Sequence, residues 1–164
     1  MNCWLIIFMA LLISVLVAWA VTSQIRENLQ MRDPKLQELY MMLKQLCENA
    51  HKLKNDPEID VERLQNMCDK LDKIKLLKGD QSYTINKEKI YMCLYDENGE
   101  YYPRNLLFYV IAHEYSHSIS KSIGHTPEFD DNFQFILNCA TKLGLYDPNI
   151  PIDLNYCKYA ENKD

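Results

Sequence analysis

Three of the chain's four histidines fall between positions 113 and 125, and two of them flank a glutamate in His113-Glu114-Tyr115-Ser116-His117. On a helix, residues four apart lie one turn above one another. His113 and His117 can then grip a single ion, with Glu114 one step round. A catalytic zinc takes three protein ligands and leaves one position open for water. His125 is the candidate third ligand, because it stands just before a helix start at Thr126-Pro127, where the chain folds back. Glu128, Asp130 and Asp131 are the alternatives for that place. Zn2+ on three imidazoles brings the pKa of its water toward neutrality, so Glu114 can take a proton as general base and pass it to a leaving amine. A structural zinc would have four protein ligands, commonly thiolates, and no cysteine lies near these histidines in sequence. Tyr146 and Tyr156 are candidate donors to a transition-state oxyanion, with packing as the competing role for both.

The pattern around these residues predicts the elements that hold them. Asn105 can cap a helix from about 106 to 123 ending at Gly124, and Thr126-Pro127 starts another. That second helix has Phe129, Phe133, Ile136, Leu137, Ala140 and Leu143 as its buried stripe and stops at Gly144. Before them, residues 82–102 alternate in strand fashion, with Ile90, Met92 and Leu94 on one side and Tyr91, Cys93 and Tyr95 on the other, followed by the turn Asp96-Glu97-Asn98-Gly99. Further upstream, Asp33-Pro34 and Asp56-Pro57 each read as a cap followed by a first-turn proline. Apolar residues at helical spacing follow both, so residues 34–79 are expected to form a helical hairpin closing at Lys78-Gly79. Its stripes are scaffold, and His51 is a surface or packing histidine.

From 4 to 21 the chain has 18 residues without a charge, bounded by Trp4 and Trp19 near the two ends. Such a run is just long enough to be expected as a membrane-crossing helix. Ala18-Trp19-Ala20 offers a signal-peptide cleavage site, but no basic residue precedes the run. Arg26, Arg32 and Lys35 follow it, which predicts a single-pass protein with its catalytic domain on the cytosolic side.

Composition narrows the partners. With 18 basic and 23 acidic residues the net charge is −5, and Lys and Arg are scattered singly, so no phosphate-binding face can be drawn and nucleic acid is not expected. Of six cysteines, five lie beyond the apolar run, an odd number that fits free thiols better than a disulfide framework, though one or two bridges remain compatible.

The stretch Ala112-His113-Glu114-Tyr115-Ser116-His117 followed by Gly124-His125-Thr126-Pro127-Glu128-Phe129 resembles the SprT/Spartan and WLM groups of small zinc metallopeptidases. In those groups a Gly-His-x-x-x-Phe element follows the His-Glu-x-x-His helix. The resemblance implies zinc on His113, His117 and His125, and Glu114 as general base. With Leu143-Gly144-Leu145-Tyr146 and Asn155-Tyr156-Cys157, the layout is still more similar to WLM-like proteins of large DNA viruses, which often carry an N-terminal membrane segment. The chain departs from the pattern in two places. The step from His117 to His125 is eight residues where six is usual, and Ser120 stands where metzincins have glycine. No zinc ribbon or basic tail of the SprT kind is present, so a DNA-repair role is not carried over.

The expectation is therefore an α+β, zincin-like minimal metallopeptidase domain, a short antiparallel sheet on the active-site helix and a support helix, over residues 80–164. A helical hairpin over 24–79 and a transmembrane anchor over 1–23 precede it. The expected function is membrane-anchored, zinc-dependent hydrolysis of protein or peptide substrates, with residues 91–95 as an edge strand that pairs with the substrate backbone. The rivals are an inactive zinc-binding interaction or assembly protein at a membrane, and hydrolysis of a non-peptide amide.

Overall fold

The computed structural model describes residues 3–30, 33–53, 55–153 and 156–157, and within the first helix the side chains of Trp4 and 7–23. Six helices and a three-stranded sheet follow one another as α1 (Cys3–Gln30), α2 (Pro34–Glu48), α3 (Ala50–Leu53), α4 (Val61–Leu71), β1 (Lys75–Lys78), β2 (Tyr83–Ile85), β3 (Lys89–Met92), α5 (Arg104–Ile119) and α6 (Pro127–Lys142).

Local chemistry accounts for the helix starts. The Asp33 carboxylate accepts from the Lys35 amide at 2.8 Å ahead of Pro34, and Asp60, not Asp56, caps α4 by accepting from the Arg63 amide. Leu36, Leu39, Leu43 and Leu46 of α2 and Leu64, Met67 and Leu71 of α4 turn the same way into one core. The expected hairpin of helices therefore stops at Leu71. Leu76 and Leu77 are buried side by side, as a short strand permits, and they enter the sheet as β1.

The strand order is β1-β3-β2, with β1 parallel to β3 and β2 antiparallel to it. This corrects the antiparallel expectation, and it also moves the edge. Tyr91 of β3 lies opposite Leu77 on one side and Tyr83 on the other, so β3, which ends at Met92, is the middle strand and the expected edge strand over 91–95 does not form. The edge strands are β1 and β2. The turn at 96–99 forms as predicted, with Gly99 donating to the Asp96 carbonyl. Helix α5 packs against α2, α6, β2 and β3, and so is the element around which the rest is assembled.

The membrane expectation is overturned: among the described residues no helix is long and apolar enough to cross a membrane. The single-pass placement and its cytosolic orientation fall with it, and Arg26 and Arg32 lie outside the described side chains.

Two disulfides replace the expected free thiols. Cys47 and Cys68 join α2 to α4 with their Cα atoms 5.5 Å apart, and Cys93 joins Cys157 across 6.4 Å. The loops they close span 21 and 64 residues, which by chain entropy corresponds to about 3 and about 4 kcal/mol. Cys139 is free and buried in α6, and burial pushes its thiol up to about 11.

Candidate metal centre

Helix α5 starts at Pro103 without a side-chain cap. Asn105 instead exchanges two hydrogen bonds with the backbone of Asp147, tying the end of the chain after α6 to the start of α5. The helix ends at Ser120, earlier than its apolar pattern suggested, and the released residues 120–125 form a loop leading into α6. Gly124 in that loop takes φ +82°, a left-handed conformation open to glycine at no steric cost, and His125 follows it directly.

The loop returns His125 to the face of α5 that carries His113 and His117. One ring nitrogen from each of the three lies within 4.8 Å of the others, and the Nε2 atoms of His113 and His125 are 3.1 Å apart. Ligand nitrogens on a tetrahedral zinc are separated by about 3.3 Å, given bond lengths near 2.05 Å. The Phe129 ring packs on all three imidazoles, with centroids 4.4 to 4.8 Å away, and fixes their back wall. Burial, together with the neighbouring His117 and His125, lowers His113 to about 4, and burial lowers His117 as well. Both shifts favour the neutral imidazole, the state that donates a lone pair to a metal. The donor set therefore fits Zn2+.

Glu114 is 6% exposed and lies beside this cluster. The Thr84 hydroxyl, from the edge strand β2, lies 2.9 Å from Glu114 Oε2 and 2.8 Å from the Glu114 carbonyl oxygen, so its single proton is shared between them. Burial raises Glu114 to about 7, and the Thr84 bond opposes that shift. Two adjoining hollows, about 590 and 540 Å³, meet at Ser82, His113 and Glu114. One is walled by Leu106, Tyr109, Val110 and Ile152, and the other by β2 and the 122–125 loop.

The alternative third ligands are placed elsewhere. Glu128 accepts from the Lys121 amide, the Ser122 amide and the Ser122 hydroxyl at 2.9, 3.0 and 2.7 Å, which drives its carboxyl down to about 2 and binds it to the loop. Asp130 and Asp131 are exposed on α6 and take no part in the cluster. His51 is exposed and near the Glu48 carbonyl at the end of α2.

Of the two tyrosines, Tyr146 packs against Phe108 and Tyr109 and lines neither hollow. Tyr156 does line one, but its hydroxyl proton goes to the Cys93 carbonyl and it accepts from Ser82. Its neighbour Cys157 is bonded to Cys93, so Tyr156 is a stapled wall of the cleft. Asn155 lies outside the described residues. The pattern of residues did not point to Thr84. A threonine in an alternating strand carries no sign of the carboxylate it will meet.

No family model matches the chain, and no solved structure matches it. Two viral proteins are similar to it in part. Uncharacterized protein 136R of Invertebrate iridescent virus 6 is 41% identical over 87 residues, covering 51% of this chain and 49% of that protein. Uncharacterized protein 042R of Invertebrate iridescent virus 3 is 39% identical over 85 residues, covering 51% of this chain and 54% of that protein. The chain spans about half the length of the curated relatives it matches.

Proposed function

We propose that the chain is a zinc-dependent peptidase of the SprT/WLM kind, with His113, His117 and His125 as metal ligands and Glu114 as general base. The observation that carries this reading is a buried carboxylate beside three clustered imidazoles, at the point where two hollows meet. Zinc held by these three imidazoles would supply Lewis acidity for hydrolysis of an amide. Glu114, with a proton affinity near neutrality, takes the proton of the attacking water and returns it to the departing amine. Thr84 orients the carboxylate for both transfers. Substrate in extended form pairs with the outer edge of β2, which places its backbone beside Thr84 and the metal ligands. A cleft with two side-chain hollows suits a polypeptide better than a small amide.

The test is metal content and casein cleavage by the full chain as wild type, Glu114→Gln and His125→Ala. One zinc in wild type and in Glu114→Gln, with cleavage by wild type alone and weakened zinc in His125→Ala, is the expected result. Zinc bound with no cleavage by wild type would favour a binding protein, for which the imidazoles alone suffice. Absence of zinc from wild type would remove the reading.

A further inference from the structure

The turn joining β2 to β3 contains a contradiction that its side chains resolve. Asn86 and Lys87 both have positive φ, 53° and 60°, and Glu88 donates back to the Ile85 carbonyl at 3.1 Å. Ile85 pairs with Lys89, so the connection is a three-residue loop, 86–88, and its two consecutive left-handed positions favour glycine or asparagine. A lysine there is held against its backbone preference.

Its ammonium shows what is gained. Lys87 Nζ donates to the carbonyl oxygens of Ser120 at 2.5 Å, Lys121 at 2.7 Å and Ser122 at 3.2 Å. Those three carbonyls lie at and just beyond the C-terminal end of α5, where the helix leaves carbonyls unpaired and its dipole favours a cation. The three N–H groups of the ammonium are all engaged, so none is left for a substrate. Glu128 holds the same peptide groups from the other side, through the amides of Lys121 and Ser122. The stretch 120–122 is thus fixed through its carbonyls by one residue and through its amides by another, and His125 follows three residues later. The same hairpin carries Thr84, which holds Glu114.

We propose that Lys87 is a positioning residue for the third metal ligand: from the tip of the β2–β3 hairpin it fixes the 120–125 loop that brings His125 to His113 and His117. This rests on the zinc reading above.

The experiment is zinc titration of the full chain against a competing chelator, for wild type, Lys87→Gly, Lys87→Met and Lys87→Arg, with thermal denaturation of each metal-free protein. Lys87→Gly removes the ammonium but suits the turn, so its melting temperature should equal or exceed that of wild type while zinc affinity falls about tenfold or more. Lys87→Met keeps the alkyl stem and loses the donors, and should lose affinity to the same extent. Lys87→Arg, which can still donate to carbonyls, should recover most of it. Zinc affinity within twofold of wild type in both the Gly and Met variants would overturn the positioning role and leave the metal site standing. No zinc in wild type would instead overturn the metal reading, and this inference with it.

Discussion

The floor of the cleft and the mouth of the α6 helix each hold one glutamate, and the two are treated in opposite ways. Glu114 is buried with a share of one hydroxyl proton and is raised to about 7. Glu128 receives two backbone amides and a hydroxyl and is driven down to about 2. The side chains are identical, so the difference lies in how many donors the fold supplies and how much water it removes. A fully satisfied carboxylate serves structure. One kept short of donors remains ready to take a proton, which is what a general base requires.

The largest effect that would test this contrast is in the pH dependence of the metal-free protein. Because Glu114 is raised in the fold, its stabilising contribution is complete below its unfolded pKa near 4.5 and is lost as pH rises toward 7, by on the order of 3 kcal/mol. Urea unfolding of metal-free wild type should therefore weaken between pH 4.5 and 7.5, and Glu114→Gln should flatten that fall. Parallel curves for the two proteins would break the comparison.

A smaller effect, about 1 kcal/mol, is expected from Thr84→Val, which deprives Glu114 of its side-chain donor. The carboxyl should move further up, so the acid limb of the pH–rate profile for peptide cleavage should shift to higher pH. An unmoved limb would mean that Thr84 does not tune the base.

The smallest effect is at the satisfied carboxylate. Glu128 is lowered in the fold, so its contribution is present above about 4.5 and is lost as pH falls toward 2. Glu128→Gln should flatten acid unfolding in that window and reduce zinc affinity only several-fold by chelator competition, because Lys87 still holds the loop carbonyls. Loss of zinc as complete as in His125→Ala would show that Glu128 is itself a ligand and erase the contrast.

How far the sequence was legible follows from which interactions are local. Asp33-Pro34 and Thr126-Pro127 mark helix starts within a single turn, and both helices begin there. His113 and His117 needed only a helix to meet, and the helix start at Thr126-Pro127 just after His125 was enough to suggest the fold-back. What failed was non-local. Ile74 continued the helical spacing of Leu64 and Leu71, which hid β1, and only its parallel pairing with β3 made β3 central. Cys47 meets Cys68 because two helices pack, and Cys93 meets Cys157 because the chain returns. Lys87 lay inside the stretch read as alternating strand, and its three acceptors are more than thirty positions away. The uncharged run over 4–21 was read as just long enough to cross a membrane, whereas among the described residues no helix is long and apolar enough to do so.

The bond between Cys93 and Cys157 also makes a ring. Helix α5, the 120–125 loop and α6 all lie between those two cysteines, so all three histidines and Glu114 belong to one covalently closed circuit. A single backbone cut anywhere inside that circuit would leave both pieces tethered. Nicked and intact molecules would migrate together until a reductant opened the ring.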